Sequence, residues 1–320
     1  MEPFRLTPNC RSILWGGSRL KSEYGKVSDL EPLAETWELS CHPNGSSIVG
    51  SGAYKGTPLP AYIRRFGAAV AGKSSVRFDD FPILIKLIDA GENLSVQVHP
   101  SDDYALKHEF QYGKEELWYI LECEPGAYLY YGLNRPVTRE EFSRHLELGT
   151  VESLLGRVEV KPGDVFYITP GTLHAIGHGI VLAEIQQSSD VTYRVWDYNR
   201  RDKDGQLRPL HIQKALDVMK FIPSPTYRSP ARREEDGSVL LAASPYFTVH
   251  LLSVEGDVSF STDSSTFHAL LCTEGSGTLE SSYGYLSFFK GKTLFVPADC
   301  GAYRISGSCR LLRTTLPEEK

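Results

Sequence analysis

No stretch of this chain is apolar for long enough to cross a bilayer as a helix. The opening residues, Met1-Glu2-Pro3-Phe4-Arg5-Leu6-Thr7-Pro8, have neither the basic start nor the apolar core of a secretory leader. Long runs of lysine and arginine are also missing. The formal net charge is −6, so neither nucleic acid nor an anionic membrane surface is expected as the main partner. A local basic pocket for one phosphate remains compatible with that balance. There is no C-x-x-C. Cys10, Cys41, Cys123, Cys272, Cys300 and Cys309 are scattered, which reads as reduced cysteine rather than a disulfide framework. The expected location is the cytoplasm. Charged residues at 23% and hydrophobic residues at 41% are ordinary for a soluble globular protein, and 320 residues suffice for two domains or one large one.

What is present is mostly β texture. Short apolar runs alternate with glycine, proline and aspartate turns, as in 116–123, 128–131, 165–169, 180–187 and 191–196. Many short strands at close spacing predict a sandwich or barrel. Helical patterns are few: 61–66, the segment that follows the capping-box form Thr138-Arg139-Glu140-Glu141, and 209–221. From Pro223 to Ser238 almost nothing is available to bury, which predicts a linker between a first domain over 1–222 and a second over 239–320. An ordinary surface loop is the competing reading of that segment.

The second part echoes the first. Lys161-Pro162-Gly163-Asp164-Val165-Phe166-Tyr167-Ile168 resembles Phe289-Lys290-Gly291-Lys292-Thr293-Leu294-Phe295-Val296, and Trp118-Tyr119-Ile120-Leu121 resembles His268-Ala269-Leu270-Leu271. Two related β barrels follow from such an echo. The copies differ in polar residues. Gly163 is followed eleven positions later by His174, whereas Ala302 stands eleven after Gly291; Glu116 lies two before Trp118, where the alignment places Thr266. On this alignment the second copy keeps the scaffold and lacks the ligands.

Gln97-Val98-His99 follows the strand pattern Pro82-Ile83-Leu84-Ile85-Lys86-Leu87-Ile88. Residues two apart leave a strand on the same face, so an amide oxygen and an imidazole project side by side. A chelating pair is one reading, and a satisfied polar pair at a barrel mouth is the other. Glycine, five residues, then Gln-x-His at Gly91 to His99 resembles the first motif of the cupin superfamily, with glutamine in place of the first histidine. Pro162 to Ala175, ending Pro170-Gly171-Thr172-Leu173-His174, resembles its second motif. Two departures stand out: the usual proline falls one position late, at Pro170, and the first motif's glutamate is not nearby. Glu116, after the polar loop 101–114, is the replacement.

The ordered motifs narrow the resemblance. Trp15-Gly16-Gly17, Ala34-Glu35-Thr36-Trp37-Glu38-Leu39-Ser40, Gln97-Val98-His99-Pro100, Gly113-Lys114-Glu115-Glu116, Pro170 to Ala175 and Asp190-Val191-Thr192-Tyr193-Arg194-Val195-Trp196-Asp197-Tyr198 together resemble the type I phosphomannose isomerases in their short bacterial form. The resemblance is strong from about Leu14 to Asp197 and weaker beyond. It implies a mainly β protein of two cupin-like jelly-roll barrels with a small helical segment. It also implies isomerisation of mannose 6-phosphate and fructose 6-phosphate with one Zn²⁺ per chain, held by Gln97, His99, Glu116 and His174, with Arg194 as the catalytic arginine.

A phosphate needs cations near the mouth, and Lys114 and then Lys86 are the candidates, each with a merely solvated lysine as its alternative. Trp15, Trp37 and Glu38 are expected to shape the sugar pocket; for the tryptophans, core packing competes. Glu115 is expected to be a solvated carboxylate on the opposite face, and His178 to lie outside the ligand set. The remaining histidines, 42, 108, 145, 211, 250 and 268, have no partner spacing. Two rival functions share the barrel: an Fe²⁺ dioxygenase, which consumes oxygen, and a sugar-binding regulator without turnover. Arg194 and Lys114 favour a phosphorylated small-molecule substrate over both. Oligomeric state is open between monomer and weak dimer.

Overall fold

In Ile180-Val181-Leu182-Ala183-Glu184-Ile185-Gln186-Gln187 the odd positions are apolar up to Ile185 and the even ones turn polar halfway along. In the computed structural model, which describes residues 1–202, 204–224 and 232–318, this run forms the strand Ile180–Gln187, buried along its whole length. Its two faces serve different cores. Val181, Ala183 and Ile185 pack toward the C-terminal lobe, while Ile180 and Leu182 pack inside the first barrel. A strand buried on both sides needs this continuous apolar character.

The strand sits inside an antiparallel six-stranded sheet of order Val165–Ile168, Glu116–Cys123, Ile180–Gln187, Ile83–Ala90, Glu35–Leu39 and Asn9–Arg11. A five-stranded sheet packs against it, with order Tyr193–Trp196, Val96–Val98, His174–Ile176, Tyr128–Leu133 and Leu155–Glu159. Trp118, Phe166 and Ile88 from the first sheet share a core with Leu129, Tyr131 and Ile176 from the second. Val96, Val98 and Val195 on the outer face of the second sheet pack with Phe142, Ala215 and Leu216, so the helices Arg139–Glu147 and Ile212–Val218 cover it. The capping form at Thr138 is realised: its hydroxyl accepts the Glu141 N–H at 3.1 Å.

One expected loop is not wholly a loop. Residues 101–114 contain the helix Asp102–His108. Ala105 is its single buried residue, so no apolar period marks it. Its signal is electrostatic instead, with Asp102 and Asp103 in the first turn and Lys107 and His108 in the last. The motif Trp15-Gly16-Gly17 has a steric reason. A Cβ on Gly16 would lie 2.7 Å from Ala34, and one on Gly91 would lie 2.6 Å from the Gly16 carbonyl, so two backbones cross where side chains have no room.

The second lobe is a nine-stranded sheet that coils around its own core of Leu252, Leu270, Phe288, Tyr303 and Ile305. Two of its strands come from the beginning of the chain. Phe4–Thr7 pairs with Thr293–Val296, Phe4 opposite Phe295, and carries Ile48–Val49 on its other edge. The split into 1–222 and 239–320 is therefore not the split of the strand pairing. Of the expected linker, residues 225–231 lie outside the described residues, and Arg232–Arg233 already pairs with Val239–Ala243.

The echo between the lobes is visible as matching strand pairs, at a different register from the sequence alignment. Ile168 stands opposite Glu116, and Val296 stands opposite His268. The position that matches Glu116 is thus His268 and not Thr266. A slip of two residues keeps the face, which is why side-chain alternation does not reveal it.

The lobes share one apolar core, in which Phe295 stacks on Phe4 at 5.2 Å and on Phe267 at 4.9 Å. A buried polar bridge joins them as well. Glu38 accepts from Lys26 at 2.5 Å, from Thr36 at 2.6 Å and from Thr293 of the second lobe at 3.0 Å. Phe295→Ala is expected to cost about 4 kcal/mol while leaving a single calorimetric transition, because both lobes lose the same contacts. Glu38→Ala strands the Lys26 ammonium in the interior and is expected to cost about 3 kcal/mol in a denaturant titration.

Candidate active site

Strand register builds the site. On the five-stranded sheet Gln97 lies opposite His174 on one side and opposite Arg194 on the other, so the three leave one face in a row. His99 follows Gln97 by two and joins that face. Glu116 opens its strand on the facing sheet. His99, Glu116 and His174 are buried, and one ligating atom from each lies within 4.8 Å of the others. His99 Nε2 is 3.3 Å from Glu116 Oε1, and His174 Nε2 is 3.9 Å from Glu116 Oε2.

The imidazoles are oriented by their far nitrogens. His99 Nδ1 is 2.9 Å from the Val191 carbonyl and His174 Nδ1 is 2.8 Å from the Thr172 carbonyl, so in each ring Nδ1–H donates and Nε2 turns its lone pair inward. Burial first, then the Lys114 charge, holds His99 well below the usual histidine range. Burial pushes His174 down to about 4 against the opposing pull of its Thr172 hydrogen bond. Both rings are neutral donors at pH 7. Glu116 Oε2 is buried without a hydrogen-bond partner. Its other oxygen accepts from Lys114, whose ammonium lies 3.4 Å from His99 Nε2. The Gln97 amide is 3.4 Å from His174 Nε2. Its nitrogen and oxygen ends are isosteric, so a half-turn presents oxygen there.

Two neutral imidazoles, a carboxylate with an orphaned oxygen and an amide form an N₂O₂ set around one point that attracts positive charge. That set fits a divalent first-row ion. Its holders would be Gln97, His99, Glu116 and His174.

The six-stranded sheet contributes a second row: Trp118, Glu184, Lys86 and Trp37 stand opposite one another across four strands. Glu184 accepts from the Trp118 indole at 2.9 Å and pairs with Lys86 at 3.0 Å and Lys114 at 3.7 Å. Burial opposes its charge, but Lys114 and Lys86 outweigh burial and hold it at about 2. For Lys114 burial wins and brings it to about 8. For Lys86 burial is outweighed by Glu184 and Glu35, which raise it.

Between the rows lies a cavity of about 210 Å³. Trp15, Lys86, Gln97, Lys114 and Arg194 line it. Lys86 and Lys114, however, are buried and already paired with carboxylates, so they are not the free cations expected at the mouth. The more exposed cations are Arg11, Arg194 and Arg208. Arg194 is held by Ser95 at 3.2 Å and by the Pro209 carbonyl at 2.9 Å; Arg11 lies over the Trp37 ring at 4.1 Å; Arg208 is fixed by Asp197 at 2.7 Å.

Glu38 does not reach the cavity. It leaves the opposite face of its strand from Glu35 and Trp37, both of which line it. Glu115 is half-buried rather than solvated: burial first, then Asp102, pushes its carboxyl up to about 7. His178 is exposed beside Glu124, outside the cluster.

Sequence reasoning missed Glu35, Glu184, Asp190, Arg11 and Arg208. Glu184 had a signal, a carboxylate inside an otherwise apolar run. The two arginines had none, since each is brought in by a loop or edge strand whose path is set elsewhere.

Residues 3–119 match the family model described as phosphomannose isomerase type I, catalytic domain, and residues 239–316 match that of the mannose-6-phosphate isomerase cupin domain. A mannose-6-phosphate isomerase of Streptococcus mutans is 37% identical over 314 residues, 97% of each chain. The crystal structure of the mannose 6-phosphate isomerase from Bacillus subtilis superimposes with a TM-score of 0.91 at 34% identity, over 98% of this chain and 99% of that one. A mannose 6-phosphate isomerase bound with zinc and yttrium shares the fold at a TM-score of 0.80 and 19% identity, over 98% and 99% of the two chains. With more than a third of positions identical along nearly the full length of both chains, this chain belongs to the type I phosphomannose isomerase family.

Proposed function

We propose that the chain interconverts mannose 6-phosphate and fructose 6-phosphate at the cavity between the two rows, and that its ion is zinc. The carrying observation is the convergence of His99, Glu116 and His174 at one buried point beneath a cavity edged by arginines. The relatives named above bear that activity in their names, and a phosphorylated sugar suits the arginine-lined mouth. Neither an iron oxygenase nor a sugar-binding regulator accounts for both features.

The reaction moves one proton from C2 to C1 and one from O2 to O1 through an enediolate. A bound divalent ion supplies polarisation of the carbonyl and a counter-charge for the oxyanion. The chain's own residues do the rest. Trp15, Ile88, Leu94 and Ile176 line the cavity with apolar surface, which lowers the local dielectric and strengthens every charge contact. Arg194 presents a permanent charge, already anchored through two of its nitrogens, toward the oxygens of the sugar. Arg11 lines the mouth with its charge toward a phosphate, and Arg208, its Nε and Nη2 held by Asp197, adds positive charge beside it. Lys86, Lys114 and Glu184 form a contiguous chain of groups able to hold or pass a proton.

Purified protein incubated with mannose 6-phosphate is expected to form fructose 6-phosphate, to stop after chelation and to resume on return of zinc, with glucose 6-phosphate inert. His99→Ala and His174→Ala are each expected to lose both bound metal and turnover; full metal content in both would overturn the ligand set. Arg194→Ala is expected to retain metal, measured by elemental analysis, and to lose about 10²–10³ in kcat. Near-normal turnover would remove it from the mechanism.

A further inference from the structure

The second lobe ends in a polar cavity of about 420 Å³ that the isomerisation does not use. His250 and Arg313 stand directly opposite each other on adjacent strands. Leu270 is opposite Arg313 on its other side, and His268, two residues earlier, shares that face. All three side chains line the cavity, together with the hydroxyls of Thr248 and Thr315. Arg313 Nε and His250 Nδ1 are each buried with no hydrogen-bond partner. His268 Nδ1 lies 2.8 Å from the Tyr303 hydroxyl, which fixes the ring and leaves Nε2 free to meet a ligand. Burial first, then the Arg313 charge, pushes His268 down to about 3 and lowers His250, so both rings are neutral and able to donate one N–H.

Acids lie near: Asp263 and Glu318 line the cavity, and Asp236 forms an ion pair with Arg313 that leaves the Nε of that guanidinium unpartnered. Asp263 accepts from the backbone and hydroxyl of Ser265, and Asp236 from Ser238, with Asp236 3.5 Å from Arg313. Register places His268 where the first lobe has Glu116. The lobes therefore carry opposite polarity at matched ends. In one, a carboxylate and imidazoles gather a cation; in the other, a guanidinium and imidazoles are set to gather an anion. Buried donors without partners are costly to keep, and an anion with several oxygens would satisfy them.

We propose that this cavity is a second small-molecule site that binds a phosphate monoester of a polyhydroxylated compound, phosphate on Arg313 and the two histidines, hydroxyls on the threonines. The volume is within the range of small-ligand pockets. The site is read by binding, so it stands or falls independently of turnover at the first lobe.

The test is calorimetric titration of the full-length, metal-loaded protein with mannitol 6-phosphate, which has no carbonyl to isomerise, and with inorganic phosphate. Two binding events per chain are expected for the hexitol phosphate. Arg313→Met should abolish one or weaken it by about tenfold or more while leaving kcat for mannose 6-phosphate unchanged. Arg194→Ala should leave that same event intact. A single event in the unsubstituted protein, or identical titrations for it and Arg313→Met, would overturn the site. Equal affinity for inorganic phosphate at that event would overturn the recognition of hydroxyls. Should Arg313→Met fail to fold, His268→Phe carries the same two expectations.

Discussion

A carboxylate in a dry interior must be given a positive partner, and the first lobe is organised around meeting that need for Glu116. Removing such a charge from water is expensive, and only close, well-aimed opposite charge or coordination offsets it. Here the Lys114 ammonium and two lone-pair-bearing imidazoles surround it. The imidazoles are aimed by backbone carbonyls, which are themselves fixed by the strands and the Pro170-Gly171 turn. Changing any of these elements re-aims a ring. Lys114 links that buried charge to Glu184, and Glu184 to Lys86, so the cavity's proton-bearing groups and its ion-holding groups are electrostatically continuous.

The legible part of the fold was the part governed by short-range periodicity. Glu116–Cys123 and Ile180–Gln187 were bounded by the sequence at their observed ends. The helix after Thr138 announced itself through its cap. The helix Asp102–His108 did not, because one buried residue makes no pattern. The pairing of Phe4–Thr7 with Thr293–Val296 was invisible for a different reason: two short apolar strands nearly three hundred residues apart carry no mark of each other.

The site divides along the same line. Gln97, His99 and His174 were readable because two turns and a period of two fix them locally, and their motif resembles that of a known family. Arg11 and Arg208 were not, since the cavity recruits them through tertiary path alone. Glu38 shows the converse error. It sits one residue from Trp37 in a motif that belongs to the pocket, but alternation sends it to the other face, where it bridges the lobes through Thr293. The mismatch at His268 is subtler. Two residues of slip preserve inside and outside, so only the hydrogen-bond ladder reveals which side chain has replaced which.

The strand Phe4–Thr7 also bears on how the chain is made. On a ribosome it emerges long before its pairing partner, which follows nearly three hundred residues later. The nascent protein must therefore carry an unpaired β edge until residues 293–296 are made, a state that favours chaperone engagement or transient parking of that edge. The sheet of the trailing lobe is completed only when Thr293–Val296 reaches Phe4–Thr7, so a ribosome that stalls before residue 293 leaves a leading lobe with most of its strands beside a trailing lobe that lacks this junction.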